Sequence, residues 1–386
     1  MNTQLLLGFA CFHCCTSGLG IFDIGTLSKS VVFLNFSLSL MKKIPDVNLS
    51  AKSLPQSGLS KKYQTNNNPP LFIVINAGSG SKNARSVESS LTKLFHDAIQ
   101  PYELFLCRRP QDLPEMTEKA IDQARRQNGV VVAAGGDGTI RSVAQEVFVA
   151  DLPFGILPLG TFNYFARDNG IPQDAIAAAE VLIAGIRSGT ERQVQVGLLN
   201  DQVFLVNASM GLYPQLLEDR EKFKEQHGRS RLKARWAGLL SLLRRDTKML
   251  LRIEYVGGQQ GSREEVVTAS TIFVGNNQLQ LNDVGLAPEA QSVQNGQLAV
   301  IALPPMRALA RVAVALRGFL GLLGDASNVT HFACRQLVVE PLSSRERQYV
   351  KVAMDGEVEQ MLPPLVFRVG PQPLRLIVSP SIGVEK

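Results

Sequence analysis

Val130-Val131-Val132-Ala133-Ala134-Gly135-Gly136-Asp137-Gly138-Thr139 decides the architecture of the first half of the chain. Its first five residues read as a buried parallel strand, and a helix follows the glycines to about Val149. In open α/β sheets, ligands bind at such strand-to-helix junctions. Glycines let the backbone approach a phosphate closely and present its N–H groups to it. Asp137 adds a carboxylate suited to the Mg²⁺ that neutralises phosphates. Gly135, Gly136, Asp137, Gly138 and Thr139 are therefore candidate nucleotide-binding residues, with Asp137 the candidate metal ligand.

The same alternation extends outward on both sides. Leu71-Phe72-Ile73-Val74-Ile75 reads as a first strand, followed by the turn Asn76-Ala77-Gly78-Ser79-Gly80 and a helix over 85–97. A second strand is expected at 104–106, a helix over 112–127, and a fourth strand at Phe154-Gly155-Ile156-Leu157. Strands alternating with helices predict a Rossmann-like parallel sheet. Asn76, Gly78 and Gly80 stand at the junction after the first strand, on the same carboxyl edge as the Gly-Gly-Asp-Gly-Thr turn. Pro158-Leu159-Gly160-Thr161-Phe162-Asn163-Tyr164 follows the fourth strand, where Gly160 permits close approach and Thr161 could bond a phosphate oxygen or cap a helix.

Beyond Gly189 the pattern changes. Short strand-like runs are expected at 194–198, 203–207, 250–256, 266–274, 298–302, 336–340, 349–353, 365–368 and 374–378, with helices at about 214–245 and 305–322. A second, mainly antiparallel domain is the natural reading. Residues 1–69 read as a disordered extension and linker, with a weak membrane anchor in the first 40 as the alternative. The first 40 are apolar but carry no basic residue before Lys29, as a secretory signal requires, and polar and Gly residues interrupt them.

Across 386 residues, 40 Lys and Arg against 34 Asp and Glu give a net charge of +6, which suits anionic partners. The five cysteines show no framework spacing, which argues for a reducing compartment. His13, Cys14 and Cys15 lack a second half of a metal site. Nucleic-acid binding would want interleaved aromatics or a known module, and neither occurs.

Taken together, the three turns resemble the diacylglycerol kinase catalytic domain, and most closely the bacterial lipid kinases of the diacylglycerol and sphingosine kinase superfamily. The resemblance continues through Phe204-Leu205-Val206-Asn207-Ala208-Ser209-Met210-Gly211, Val274-Gly275-Asn276-Asn277 and Met354-Asp355-Gly356-Glu357, covering roughly residues 70–380. It implies a lipid kinase that moves the γ-phosphate of ATP, with Mg²⁺, onto a hydroxyl of diacylglycerol or a related lipid. It also implies that Asp355 is the general base, with Glu357 beside it; alone, Asp355-Gly356 is equally an ordinary hairpin turn. Three carboxylates of the family pattern are replaced, by Tyr164, Gln195 and Asn295.

The expected organisation is thus a nucleotide-binding domain at 70–192, a β-sandwich lipid-substrate domain at 193–370, and a last strand in 371–386 that returns to the first domain. The expected setting is cytoplasmic, peripherally associated with a membrane that presents the lipid, and a homodimer stays open. The basic stretch 218–252, with Trp236, Leu239, Leu240, Leu242 and Leu243, suits either an interfacial helix or a solvated one. Two rival functions stand beside the lipid kinase. One is an NAD kinase, which shares Gly-Gly-Asp-Gly-Thr but pairs it with an Asn-Glu-Asp motif that this chain lacks. The other is a catalytically weak lipid-binding or regulatory protein.

Overall fold

Leu71–Ile75 and Val130–Ala134 are unbroken apolar runs, so both faces of their strands must be covered, and helices cover them. A computed structural model describes residues 59–60, 68–76, 84–227, 247–257, 262–324, 326, 329–343 and 349–380. The first part runs β1 (Leu59–Ser60), β2 (Leu71–Asn76), α1 (Ala84–Asp97), β3 (Tyr102–Cys107), α2 (Leu113–Gln127), β4 (Val130–Gly135), α3 (Asp137–Ala150), β5 (Phe154–Pro158), α4 (Tyr164–Asp168), α5 (Ala175–Ser188) and β6 (Glu191–Val194). The second runs β7 (Gly197–Leu199), β8 (Gln202–Phe204), β9 (Asn207–Gly211), α6 (Leu212–His227), β10 (Met249–Val256), β11 (Ser262–Ala269), β12 (Thr271–Gly275), α7 (Gln278–Asp283), α8 (Ala287–Gln294) and β13 (Leu298–Leu303). It ends with α9 (Ala308–Phe319), β14 (Thr330–Cys334), β15 (Gln336–Pro341), β16 (Val350–Met354), β17 (Glu357–Met361), β18 (Leu365–Val369) and β19 (Leu374–Ile377).

The first sheet has the order β1-β6-β19-β5-β4-β2-β3, and β2 through β5 are mutually parallel. Leu71, Ile73, Val130 to Ala134 and Leu157 are fully buried in its core. The strand β19 comes from the far end of the sequence and slots between β5, to which it is parallel, and β6. The first domain is therefore closed by residues that follow the second.

The second domain is two antiparallel six-stranded sheets, β11-β10-β15-β18-β7-β8 and β14-β13-β12-β9-β16-β17. One apolar core, including Phe204, Met210, Val274, Leu337, Val352 and Phe367, joins residues from both sheets, as in a sandwich. A smaller core under α7, α8 and α9 covers the outer side of β12 and β13 with Leu281, Leu286, Val293, Ala299 and Ile301.

Several expected runs divide differently. The run 194–198 is two strands in two sheets, β6 and β7. The run 203–207 breaks at Leu205-Val206, where the chain passes from the sheet of β8 to that of β9. The run 266–274 breaks at Ser270, whose hydroxyl turns back onto the carbonyls of Leu303 and Pro304. The expected helix over 214–245 is described only as α6; its Trp236 and the leucines after it lie outside the described residues, as do residues 1–40. Strands β1, β14 and β17 and helices α4, α5, α7 and α8 were not expected. Most are too short or alternate too weakly to show a period, and α5 is apolar almost throughout.

Candidate active site

The glycine turn after β4 folds into the start of α3. Gly136 occupies the N-cap in an extended conformation (φ −85°, ψ 179°), and Asp137 is the first helical residue. The unpaired N–H groups and positive end of a 14-residue helix thus open at this junction. The turn after β5 packs directly against it: a Cβ on Gly160 would stand 2.7 Å from the Gly136 Cα. Asn163 holds that second turn in shape. Buried and left-handed (φ 48°), it accepts from the Gly160 N–H at 3.0 Å and donates to the Gly160 carbonyl at 3.2 Å.

Asn76 and Thr139 meet across the sheet edge, the Asn76 amide donating to Thr139 Oγ1 at 3.0 Å. The first and third strand ends therefore share one site. Gly78 and Gly80 lie outside the described residues. Thr161 is exposed and stands two residues before Asn163, the N-cap of α4.

Asp137 Oδ1 is buried and has no hydrogen-bond partner among the described residues. Burial raises the Asp137 pKa, and nearby backbone amides of Phe165, Asn163 and Tyr164 offset part of that. A buried carboxylate oxygen left bare at a glycine turn that opens a helix fits a divalent cation. The described residues contain no cluster of three or more metal-binding side chains. Mg²⁺ would accordingly be held by Asp137 and by the nucleotide's own oxygens, the usual arrangement for that ion.

The late acidic motif reaches this edge from the second domain. Asp355 (φ 49°) and Gly356 (φ 91°) form the two-residue turn between β16 and β17, in the conformation that Asp-Gly favours. The Asp355 carboxylate does not face the cleft freely. Its Oδ2 accepts from the Leu205 N–H at 2.7 Å, and its Oδ1 from those of Val206 and Asn207 at 2.8 and 2.9 Å. It thereby clamps the segment where the chain changes sheets. Burial pushes its pKa up to about 6 against the pull of those three amides.

Glu357, two residues on, is half exposed and lies against the start of α3. A Cβ on Gly138 would collide with its carboxylate. Arg141, one turn along α3 from Asp137, donates at 2.9 Å to both Glu357 and Glu359. Its side chain is only 10% exposed. Burial alone would lower the Arg141 pKa, but the Glu357 hydrogen bond and the charges of Glu357, Glu359 and Asp355 hold it above its usual value.

Asn76, Thr139, Arg141 and Glu357 line one end of an open cleft of about 1070 Å³, which continues between α2 and α3 past Glu118, Arg125 and Glu146. That volume accommodates a nucleotide-sized ligand.

Residues 70–197 match the family described as "Diacylglycerol kinase catalytic domain". The chain is 29% identical over 254 residues to the "Diacylglycerol kinase" of Bacillus subtilis (strain 168), covering 64% of this chain and 78% of that protein. It is 38% identical over 94 residues to the "Probable lipid kinase YegS-like" of Klebsiella pneumoniae (strain 342), but this spans 24% of the chain and only 30% of that relative. Two crystal structures from Bacillus anthracis strain Sterne, described as diacylglycerol kinases (the first as a candidate one), share the fold. Their TM-scores are 0.60 and 0.55 at 18% and 16% identity, each covering 81% of this chain and 98% of the other. The chain is thus similar to diacylglycerol kinases and to bacterial proteins named as probable lipid kinases, and residues 70–197 carry the match to the catalytic-domain family.

In this chain, neutral groups hold the three positions where the resembled family pattern has carboxylates. Gln195 donates to Asn276 Oδ1 at 2.7 Å and to the Gln297 carbonyl at 3.0 Å, while Asn276 donates back to the carbonyls of Gln195 and Leu205. An amide network thus ties the interdomain crossing to β12 where an acidic one was expected. Tyr164 stacks on Phe162 with ring centroids 6.0 Å apart, and the Arg167 guanidinium lies over the Tyr164 ring, 5.5 Å from its centroid. Asn295 ends α8.

Sequence reasoning missed Arg141 and Glu359. Arg141 falls four residues after Asp137, hence on the same helix face, and that spacing was an available signal. Nothing local marks Glu359.

Proposed function

We propose that this kinase transfers the γ-phosphate of ATP to a hydroxyl of diacylglycerol or a similar lipid, with Glu357 receiving the hydroxyl proton. The observation that carries the reading is the Glu357 carboxylate set against the Gly136–Thr139 helix start, beside the bare oxygen of Asp137. Backbone N–H groups of Gly138 and Thr139 would bind phosphate oxygens, and Asn76 would fix the Thr139 hydroxyl. Asp137 would hold Mg²⁺, whose chemistry is to neutralise charge on the phosphates. Arg141 orients Glu357 through their ion pair.

The lipid oxygen then forms a bond to the γ-phosphorus as the bond to the β-phosphate oxygen breaks. The proton passes to Glu357, and ADP leaves. Phosphoryl transfer of this kind depends more on positioning and charge neutralisation than on strong base. Asp355 serves the same step by fixing the 205–207 backbone against which the Glu357 hairpin sits.

The reading is tested by incubating the protein with radiolabelled ATP and Mg²⁺ against a panel of diacylglycerols, sphingoid bases, ceramides and NAD. A labelled phospholipid is the expected product. Phosphorylated NAD with no labelled lipid would overturn the assignment in favour of the nucleotide acceptor, and no product at all would leave the protein a lipid binder.

A further inference from the structure

The helix α9 is apolar on two opposite faces. Its inward face is fixed. Val314 packs on the small core shared with α7 and α8, and Arg311 is buried, donating to the Met306 carbonyl at 2.7 Å. After the helix, Leu323 N–H donates to the Val284 carbonyl at 3.0 Å. A Cβ on Gly285 would strike the Gly321 carbonyl, so this end of the helix lies hard against the α7–α8 connection.

The other face points outward. Leu309, Ala313, Leu316 and Leu320 follow the i, i+4, i+7, i+11 spacing that stacks side chains in one narrow stripe. Leu309 is 80%, Leu316 56% and Leu320 66% exposed. Exposed leucines scattered singly are ordinary, but an aligned row on a helix already buried on its other side is not. A helix apolar all round expects cover on both faces. This one, at 12 residues, is too short to span a bilayer, and no described helix is long and apolar enough to do so.

Charge decides what covers it. Arg307 and Arg317 are exposed and bracket the stripe, and residues 304–324 contain no Asp or Glu at all. A two-fold contact with a second copy would bring arginines toward arginines with no carboxylate between them to answer the charge, which costs specificity and affinity. An anionic lipid surface meets both needs: acyl chains for the leucines and headgroups for the arginines.

We infer that the outer face of α9 is a membrane-docking surface that lies flat in the interface of an anionic bilayer. It deepens the lipid kinase reading, on which it rests for its biological sense, by stating which face meets the membrane holding the substrate.

The full chain should co-sediment with vesicles of phosphatidylcholine and phosphatidylglycerol more strongly than with phosphatidylcholine alone. The triple substitution Leu309→Ser, Leu316→Ser, Leu320→Ser should cut that binding about tenfold or more. Arg307→Gln with Arg317→Gln should remove the preference for phosphatidylglycerol. Because the positions are exposed, circular dichroism should be unchanged, and phosphorylation of a dispersed short-chain diacylglycerol should match wild type. Wild type inactive on every lipid while the triple variant still loses vesicle binding would defeat the kinase reading and leave the docking surface standing. Vesicle binding unaltered in the triple variant would overturn the docking surface, as would a wild-type dimer that this variant splits into monomers.

Discussion

The two halves of the candidate site are built by opposite means. The glycine-turn half, proposed to bind phosphate, is local: β4, its glycine turn and the first turn of α3 occupy one continuous stretch, Val130 to Arg141. The acidic half is assembled at long range. Asp355 holds the backbone at 205–207, and Glu357 and Glu359 hold Arg141, contacts between residues about 150 and more than 200 positions apart. A locally built site fails when a single residue loses its chemistry. A site assembled at long range also fails when a residue with no chemical role lets the pieces drift.

The sharpest way to break this comparison is at Asp137. Asp137→Ala removes the bare oxygen proposed for the metal while leaving the apolar strand and helix intact. Mg²⁺-dependent ATP binding, followed by calorimetry, should be lost; unchanged affinity would move the metal elsewhere.

Next comes the division of labour between the two late carboxylates. Glu357→Gln should lower kcat by roughly 10²–10⁴-fold, the usual contribution of a general base, with ATP affinity nearly unchanged. Asp355→Asn should instead act first on stability. An amide nitrogen would face a backbone N–H, so at least one charge-assisted hydrogen bond is lost, at about 1.5–3 kcal/mol each. Chemical denaturation checks this. A normally stable Asp355→Asn protein with a collapsed kcat would return the base to Asp355.

Arg141→Met tests the coupling between the halves. Glu357 and Glu359 would be left facing each other without their shared cation, and kcat should fall about tenfold, with KM for ATP less affected. Arg141→Lys should recover part of the loss, because a lysine keeps the charge but not the fork that reaches two carboxylates.

A smaller effect is the pH signature of Asp355. Its folded pKa, about 6, lies above the ordinary 3.8, so the folded state keeps its proton longer than the unfolded one. Its contribution to stability is fully present below the unfolded value and is lost as the pH rises through about 6. The loss is on the order of 3 kcal/mol at most. Wild type should therefore lose stability relative to Asp355→Asn between about pH 4 and 7, as read from paired melting curves. A gap that widens with rising pH would contradict the burial described here. The smallest effect belongs to Thr161→Ala, whose exposed side chain lies outside the α4 cap. ATP affinity should shift by no more than about twofold, within the ±0.5 kcal/mol typical of surface changes.

This contrast also governs what could be read from the chain. The strand, glycine turn and helix of 130–150 were legible because their signals are periodicity and composition within one short window. The antiparallel second domain was legible as a class, but not at its joints. Leu205-Val206 looks like the middle of one strand, and only the Asp355 carboxylate, 149 positions from Val206, explains why the ladder stops there. Asp355 itself could be read as turn or as base from sequence, and the structure shows that it makes the turn while also securing distant backbone. Arg141 lay within the most legible window of all. It went unnoticed because its partners arrive from the other domain.

One consequence concerns how the molecule is made. β19 sits between β5 and β6, yet it leaves the ribosome only after the whole sandwich has been synthesised. Until then the nascent chain carries a first sheet with a gap in its middle, and β5 offers an unpaired edge to any strand nearby. The strand that fills the gap is the last to be made. A chain cut short anywhere in the sandwich cannot seat it, so the glycine turns, though long since translated, should stay unsupported until the sequence has been read through to Ile377.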